Sequence, residues 1–470
     1  MSTFSHDTFI SPFTWRYGSS DMRGIWSEIH KRKLQRRLWI ALARAQQKAG
    51  IVTPGQVAEL EAHKDDIDID EASRLEAELH HDLMAEIRVY AAQCPTAGSI
   101  IHLGATSMDV LDNVDAVRLM ESMDIIQKRL EELLRAFTAK MEEYADTPCM
   151  AFTHIQPAEP TTVGYRFAQS AQDLLDCLHD IRYVHSTIRG KGMKGAVGTA
   201  ASYTELLAGT PLTARQMEDM VMQDMGLKAF DAATQVYSRA QDVRIVNALA
   251  ALAAVLHKFS LDFRLMQSPP IGEWSEPFGA KQVGSSAMPF KRNPINNEKI
   301  DSLCRFVSSL PSVAWQNAAQ NILERTLDDS ANRRIFLPEA FLSIDEALLT
   351  AHRMVTGMNL HSTGIARNLE AYGVFAATER VLMELGRRGA DRQEMHEVIR
   401  NHSLMAWAEV QAGRSNPLTA SLSHDKAVAA FMTPEEVAGL MVADAYVGDA
   451  PERTRQVIAR IASSLWNTPL

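Results

Sequence analysis

Apolar positions along this chain recur at helical spacing over long uninterrupted stretches. Between Ser107 and Asp146 there is no Gly or Pro, and Val110, Val114, Val117, Met120, Ile125, Leu130, Leu133, Leu134, Phe137, Met141 and Tyr144 keep one apolar stripe. The stripe predicts a helix of roughly 50–60 Å, at about 1.5 Å per residue, ended by Pro148. A second long helix is expected from near Thr161 to Gly190 and a third from about Ser238 to Met266, ahead of Pro269 and Pro270. A fourth begins at Pro294 with a kink at Pro311, and a fifth runs from about Leu337 to Met358. Strand signals are missing, so the pattern predicts an elongated helical bundle.

On either side the pattern shortens. The first hundred residues read as short helices with breaks at Gly18, Gly50, Pro54 and Pro95, among which Asp21 to Ala49 is the most continuous. Beyond about His361, breaks at Gly386, Gly389, Pro417 and Pro434 predict short helices again. The expected fold is all-α in three helical domains: residues 1–105, a central five-helix bundle over 106–360, and 361–470. Apolar stripes this broad exceed what five helices cover by themselves, which predicts that bundles pack together in an oligomer.

Composition narrows the function classes. At 470 residues the chain can bury two or three cores. Cys94, Cys149, Cys177 and Cys304 lie far apart without metal or CxxC spacing, the usage of a reducing compartment. No basic-then-apolar segment opens the chain, and the most apolar run, Ile245 to Leu256, is too short to span a bilayer. A soluble, cytoplasmic protein away from membranes is expected. A net charge of −10 argues against a nucleic-acid surface, yet a few arginines can make one cleft positive on an acidic protein.

Candidate chemistry concentrates in Gly284 to Glu298, GSSAMPFKRNPINNE. Gly284, Ser285 and Ser286 give a backbone that can approach a ligand closely and that offers amide and hydroxyl donors. Lys291 adds positive charge, Pro294 suits a first helical turn, and Asn293 is placed to cap it. A cation, hydroxyls and the positive end of a helix suit an anion or negative charge that develops during a reaction. The plain alternative is a solvated loop ahead of a helix.

Other polar groups cluster elsewhere. Trp15-Arg16-Tyr17 is an aromatic-flanked arginine, and His80-His81-Asp82 lies on a helical segment. Ile101 to Ser107 leads into the first long helix, which Ser107 or Asp109 suits as a cap. Thr153-His154-Ile155-Gln156-Pro157 lies in a loop between the first two long helices, and the ordinary pKa of histidine fits acid–base work. Arg325 to Arg334, RTLDDSANRR, surrounds Ser330 with ionic side chains. Gly190, Gly192 and Gly195 spell GxGxxG, but a helix precedes them where the dinucleotide fingerprint needs a strand, so no nicotinamide cofactor is expected.

At every fixed position Gly284 to Glu298 matches GSSxMPxKxNxxxxE, the signature of the fumarase/aspartase superfamily. The chain most resembles the adenylosuccinate lyase family within it, through MPFKRNP, FTHIQPAEPTTVGYR, HLGATSMD, QVYSR and RTLDDSANRR. The resemblance implies a lyase that removes fumarate from adenylosuccinate, leaving AMP, and from the succinyl-carboxamide ribotide of purine synthesis, with no metal or redox cofactor. It implies Ser285 as general base, Lys291 stabilising the ionised serine, His154 as general acid, and Glu298 paired with that histidine. Substrate-binding positions implied in the same way are Arg16, Tyr17, His81, Asp82, His102, Thr106, Ser107, Thr153, Gln235, Ser286, Met288, Asn293, Arg325, Ser330 and Arg334. Thr106 and Ser107 would meet a carboxylate; Arg325, Ser330 and Arg334 would meet the phosphate.

The resemblance also implies a homotetramer in which the long bundle forms the core and three subunits build each active site. Three positions depart from the family pattern: Glu86 stands where His is frequent, Tyr165 where Lys is, and Lys299 in place of Arg. These bear on substrate balance and the phosphate pocket rather than on the reaction class. The alternatives are another lyase of the superfamily, acting on argininosuccinate or a carboxymuconate, and a non-catalytic scaffold of the lens-crystallin kind.

Overall fold

Hydroxyl caps punctuate the first helices. In the computed structural model, which describes residues 8–279, 281, 284 and 286–466, Ser19, Ser27 and Thr53 each accept an amide hydrogen at the start of α1 (Ser20–Ile25), α2 (Glu28–Lys48) and α3 (Pro54–Ala62). Ser27 takes the His30 amide at 3.2 Å, so the helix expected over Asp21 to Ala49 is two helices. α4 (Ile69–Leu79) and α5 (Asp82–Gln93) follow.

The five long helices are α6 (Ser107–Glu143), α7 (Val163–Thr187), α10 (Ala240–Gln267), α11 (Ile295–Ala319) and α12 (Ser330–Gly357), with the short α8 (Ala201–Leu206) and α9 (Ala214–Met225) between α7 and α10. α11 contains Pro311, as expected. α12 starts seven residues before Leu337 and takes Pro338 inside it. A proline removes one backbone hydrogen bond, and buried ion pairs of Arg333 hold the preceding turns in place. Two strands were not announced by any alternation: β1 (Pro148–Thr153) and β2 (Gln156–Thr162) form a bulged antiparallel hairpin. β3 (Trp274–Ser275) pairs with β4 (Asn359–Leu360) over two residues.

Beyond β4 the helices are not uniformly short. α13 (Ser362–Arg387), with 26 residues, matches the bundle helices in length, whereas α14 (Arg392–Gln411), α15 (Leu418–Ser423), α16 (Lys426–Ala429), α17 (Pro434–Leu440) and α18 (Ala450–Trp466) are shorter, as expected. The break expected near Gly389 holds, that residue taking φ 89 just past the end of α13, while Gly364 and Gly373 inside the helix allow close packing. A Cβ on Gly364 would meet the Gly272 carbonyl oxygen at 2.3 Å, and one on Gly373 would meet Ala443 Cβ at 2.6 Å.

The chain forms two compact units, Met1–Leu130 with Cys177–Leu256 and Ser302–Leu349, and Glu131–Asp176 with His257–Asp301 and Thr350–Leu470. Each long helix contributes a segment to both. In the first unit, α12 is buried on every side from Phe341 to Leu348. Its Asp345 and Glu346 accept the amides of Ser19 (2.6 Å) and Gly18 (3.2 Å), fixing the N-terminal segment. In the second unit, Phe167 stacks on Trp274 at 5.0 Å among Phe137, Phe259 and Phe263. A separate core of Val381, Leu385, Leu418, Leu422 and Val437 joins α13 to α15 and α17.

The start of α6 is tied to the glycine-rich segment by one carboxylate. Asp109 is fully buried; Oδ1 accepts from Lys191 Nζ (2.5 Å) and the amides of Lys194 and Gly195, and Oδ2 accepts from the Thr106 amide and Tyr203 hydroxyl. Reaching back from the third helical position to the Thr106 amide, Asp109 supplies half of a capping box. Burial pulls the Lys191 ammonium below its ordinary value, against the pull of Asp109. Removing one member of such a pair strands the other without solvent. Asp109→Ala is therefore expected to lower stability by about 3–5 kcal/mol in urea unfolding, with Lys191→Met added to it recovering part of the loss. A loss within the range of an ordinary exposed substitution would remove Asp109 from this role.

Candidate active site

Three helix starts meet at a cleft of about 560 Å³ in the first unit, a volume suited to a small-molecule ligand. Asp82 opens α5, Ser107 opens α6 and Ser330 opens α12, and all three line the cleft. Helix starts carry unpaired amides and the positive end of the peptide dipoles, so their convergence favours negative charge. His81, Thr106, Gln235, Arg325 and Arg334 share the same walls. Eight of the expected binding positions, scattered from residue 81 to residue 334, thus come together. Arg16, Tyr17 and His102 belong to the same unit without lining this cleft; the Arg16 guanidinium lies 5.7 and 5.8 Å from the ring centres of Trp15 and Tyr17.

Hydrogen bonding fixes two histidines in a stated form. His81 caps α5 by accepting the Met84 amide on Nδ1 (3.3 Å), which leaves the proton of the neutral ring on Nε2, 3.4 Å from Ser107 Oγ. His102 accepts the Trp39 indole N–H on Nδ1 at 3.2 Å. Burial pushes His102 down to about 4 although Asp109 pulls the other way, so this ring is neutral at pH 7 and can only donate from Nε2. Arg334 pairs with Asp82 at 2.8 Å. Burial raises the Asp82 carboxyl, but Arg334 and Lys31 outweigh it and hold the group below its ordinary range.

The cleft has further walls that sequence reasoning missed. Arg239, Asp329 and Arg333 line it from within two motifs already singled out, QVYSR and RTLDDSANRR, where their charges were the available signal. Trp26, Glu28 and Lys31 line it as well, and nothing in their local sequence marks them. Of the three departures from the family pattern, Glu86 is a buried acceptor for Arg32 (2.6 Å) and Arg36 (2.8 Å), an ion pair between α2 and α5 and not part of the cleft. Lys299 lies in α11.

His154 belongs to the second unit, in a second cleft of about 680 Å³ that Ile155, Tyr165, Arg166 and Lys258 also line. The segment expected as a loop is a hairpin whose two-residue turn is His154 (φ 53) and Ile155 (φ 61), the left-handed pair such a turn demands. Pro157 and Pro160 are tolerated because a two-stranded ribbon leaves outer edges open. A β-branched residue at positive φ is strained, a condition that clusters at functional sites. Thr153 and His154 are exposed on this tip.

The signature segment also lies in the second unit, with Ser285 itself outside the described residues. Gly284 packs so closely that a Cβ would sit 2.1 Å from the Lys291 carbonyl oxygen, which excludes any other residue. Ser286, Met288 and Lys291 are exposed. α11 starts at Ile295, but Asn293 is not what satisfies its first amides: Glu276 accepts from the backbone and side-chain amides of both Asn296 and Asn297. Asn293 instead donates its side-chain amide to the Gly284 carbonyl at 3.3 Å. The positive end of α11, expected to serve an anion, is thus neutralised by a protein carboxylate. Glu298 is half exposed, its carboxylate 3.9 Å from Arg264. Among the described residues, no group of three His, Cys, Asp or Glu is arranged to hold a metal ion.

A family model described as lyase matches residues 17–308. The fold is shared with 3-carboxy-cis,cis-muconate lactonizing enzyme from Pseudomonas putida, at TM-score 0.85, 24% identity, and coverage of 96% of this chain and 99% of that one. It is shared too with fumarate lyase from Mesorhizobium sp. BNC1, at TM-score 0.83 and 21% identity over 96% and 99% of the chains. Fold and family model together define a lyase. A second model, described as adenylosuccinate lyase C-terminus, matches residues 375–457. The chain is 38% identical over 424 residues to adenylosuccinate lyase of Schistosoma mansoni, covering 89% of this chain and 88% of the relative. It is 36% identical over 463 residues to that of Saccharomyces cerevisiae (97% and 95%) and 35% identical over 455 residues to that of Pyrococcus horikoshii (96% and 97%). The chain belongs to the adenylosuccinate lyase family.

Because His102 titrates near 4 when folded and near 6.5 when free, the unfolded chain binds the extra proton first as pH falls. Its contribution to stability is complete above about pH 6.5 and lost progressively down to pH 4, a change on the order of 3 kcal/mol. Urea midpoints measured across this interval should fall with pH in the parent protein and fall less in His102→Gln, whose amide oxygen can still accept from Trp39. Equal slopes in both proteins would contradict the assignment.

Proposed function

We propose that this protein catalyses the β-elimination of fumarate from adenylosuccinate, leaving AMP, and from the succinyl-carboxamide ribotide of purine synthesis. What carries the reading is the cleft built from three helix starts together with Arg325, Ser330 and Arg334, the side chains of the segment expected at a nucleotide phosphate. Near full-length similarity to proteins named adenylosuccinate lyase supports the same substrate. The fold alone would suit a carboxymuconate enzyme equally; RTLDDSANRR in the cleft wall favours a substrate bearing a phosphate.

In the proposed mechanism Ser285, ionised, takes the proton beside the substrate carboxylate, and the electron pair spreads onto that carboxylate as a dianionic aci-form. Collapse of this intermediate expels the purine nitrogen, which His154 protonates, so fumarate and AMP leave with all protons accounted for. Lys291 and loop amides stabilise the ionised serine. With Glu276 on the α11 start, that helix end does not contribute. Glu298 keeps His154 charged, Thr106 and Ser107 hold a substrate carboxylate, and Gln235 lines the pocket they share. Arg16, Tyr17, His81, Asp82, His102, Thr153, Ser286, Met288 and Asn293 complete the proposed binding set.

The proposed assembly is a cytoplasmic homotetramer in which each active site draws on more than one subunit. Two observations support sharing. The binding group lies in one unit of the chain, and His154 with Lys291 in the other. α10 is long and apolar enough to span a membrane by length and composition, but its exposed positions Asn247, Ala251, Ala254, Lys258, Leu261 and Leu265 repeat at alternating spacings of four and three, the seam by which helices meet one another. The four cysteines are buried and none forms a disulfide, in keeping with a reducing compartment.

Two measurements test this reading. Purified protein should release fumarate and AMP from adenylosuccinate; Ser285→Ala and His154→Gln should each lose several orders of magnitude, while Ser286→Ala retains turnover. Mixing the two inactive variants after mild dissociation should restore activity, because some reassembled sites then contain an intact serine and an intact histidine. No recovery from well-folded hybrids would refute shared sites.

A further inference from the structure

Arg325 reaches the cleft wall from a segment without regular structure between α11 and α12, preceded by Leu323 at φ 47. A long side chain on such a segment has many rotamers, yet this one is only 15% exposed and its Nη1 donates to Asp329 Oδ1 at 2.7 Å. The other carboxylate oxygen of Asp329 accepts Arg239 Nε, also at 2.7 Å. Arg239, 2% exposed, is in turn held by both oxygens of Asp112 on α6 through Nη1 at 3.1 Å. Four charges of alternating sign therefore run from a fully buried carboxylate on α6 to the guanidinium at the cleft. Burial pushes Asp329 upward, but Arg239 and Arg325 outweigh it and hold the carboxyl below its ordinary range, so it is ionised at neutral pH.

The geometry leaves a particular set of donors for a ligand. A guanidinium carries five N–H groups in a planar fork, and the Asp329 contact occupies Nη1 only. Nε and Nη2 form the bidentate edge that matches a phosphate or carboxylate. We propose that Asp329 is a positioning residue for substrate binding: backed by Arg239 and Asp112, it holds the Arg325 guanidinium with its bidentate edge free for the anionic group of the nucleotide. The role rests on the reading of the cleft given above and adds to it a residue that acts through Arg325. Fixing the side chain before the ligand arrives reduces the ordering that binding must impose.

The test combines Asp329→Asn, Arg325→Gln and the double variant, with Arg239→Gln as a second way to loosen the chain of charges without touching Asp329. KM and kcat for adenylosuccinate and the inhibition constant of AMP are measured on each. Asp329→Asn is expected to raise KM and the AMP inhibition constant at least tenfold while kcat changes by less than about threefold, and Arg239→Gln should do the same to a smaller extent. In the Arg325→Gln background Asp329→Asn should add nothing further to either constant, since its effect passes through Arg325. A merely structural role would instead lower the active fraction, reducing kcat with KM and AMP inhibition unchanged; that result, or additive effects in the double variant, overturns the proposal. Parent protein that neither turns over adenylosuccinate nor binds AMP would overturn the reading of the cleft itself, and the Asp329 role with it.

Discussion

Burial of two carboxyl side chains at the start of α6 is the constraint on which the first unit depends. Asp109 and Asp112 are both without solvent contact, and each must be satisfied from outside its own helix. Asp109 gathers donors from the Lys191 to Gly195 segment and from Tyr203; Asp112 gathers the Tyr237 amide and Arg239. A buried charge is tolerable only when paired and hydrogen-bonded. Two irregular segments and the short helix α8 are therefore pinned to one helix by polar contacts rather than by apolar packing. A cleft lined by polar groups cannot be held open by hydrophobic contacts within it, so its walls need this kind of anchor.

Long elements were legible in the sequence because their signal is additive. Ten or more apolar positions at helical spacing over Ser107 to Glu143 leave no other reading, and the first four long helices begin within two residues of expectation. The β1–β2 hairpin was not legible, because Pro157 and Pro160 argue against strand and the turn carries no glycine; its left-handed residues are His154 and Ile155. The break near Gly389 was legible, since that residue takes φ 89 just past the end of α13, but the 26-residue length of α13 was not.

For the site, residue types within motifs were readable, but their partners were not. The motif RTLDDSANRR marks Arg325 and Arg334, while the fact that Asp329 faces Arg239 depends on how α6, α10 and α12 meet. Lys31 on α2 and Trp26 at the end of α1 reach the cleft only through the way those two helices pack. The Asn293 cap illustrates the same limit from the other side: local sequence favours asparagine there, and a carboxylate nineteen residues upstream of Ile295, Glu276, takes the helix end instead. Charge at a helix start is a tertiary property even where the helix itself is local.

The all-round burial of α12 has a mechanical consequence. Ser330, Arg333 and Arg334 stand at one end of a helix whose middle, from Phe341 to Leu348, touches protein on every side. Shifting that end would drag a close-packed core with it. α4, by contrast, buries only Ala72, and it leads directly to His81 and Asp82 on the cleft wall. The start of α5, held by its own buried residues and by the Glu86 ion pairs to α2, meets that fixed helix end through the Asp82–Arg334 contact, so the two walls brace one another across the cleft.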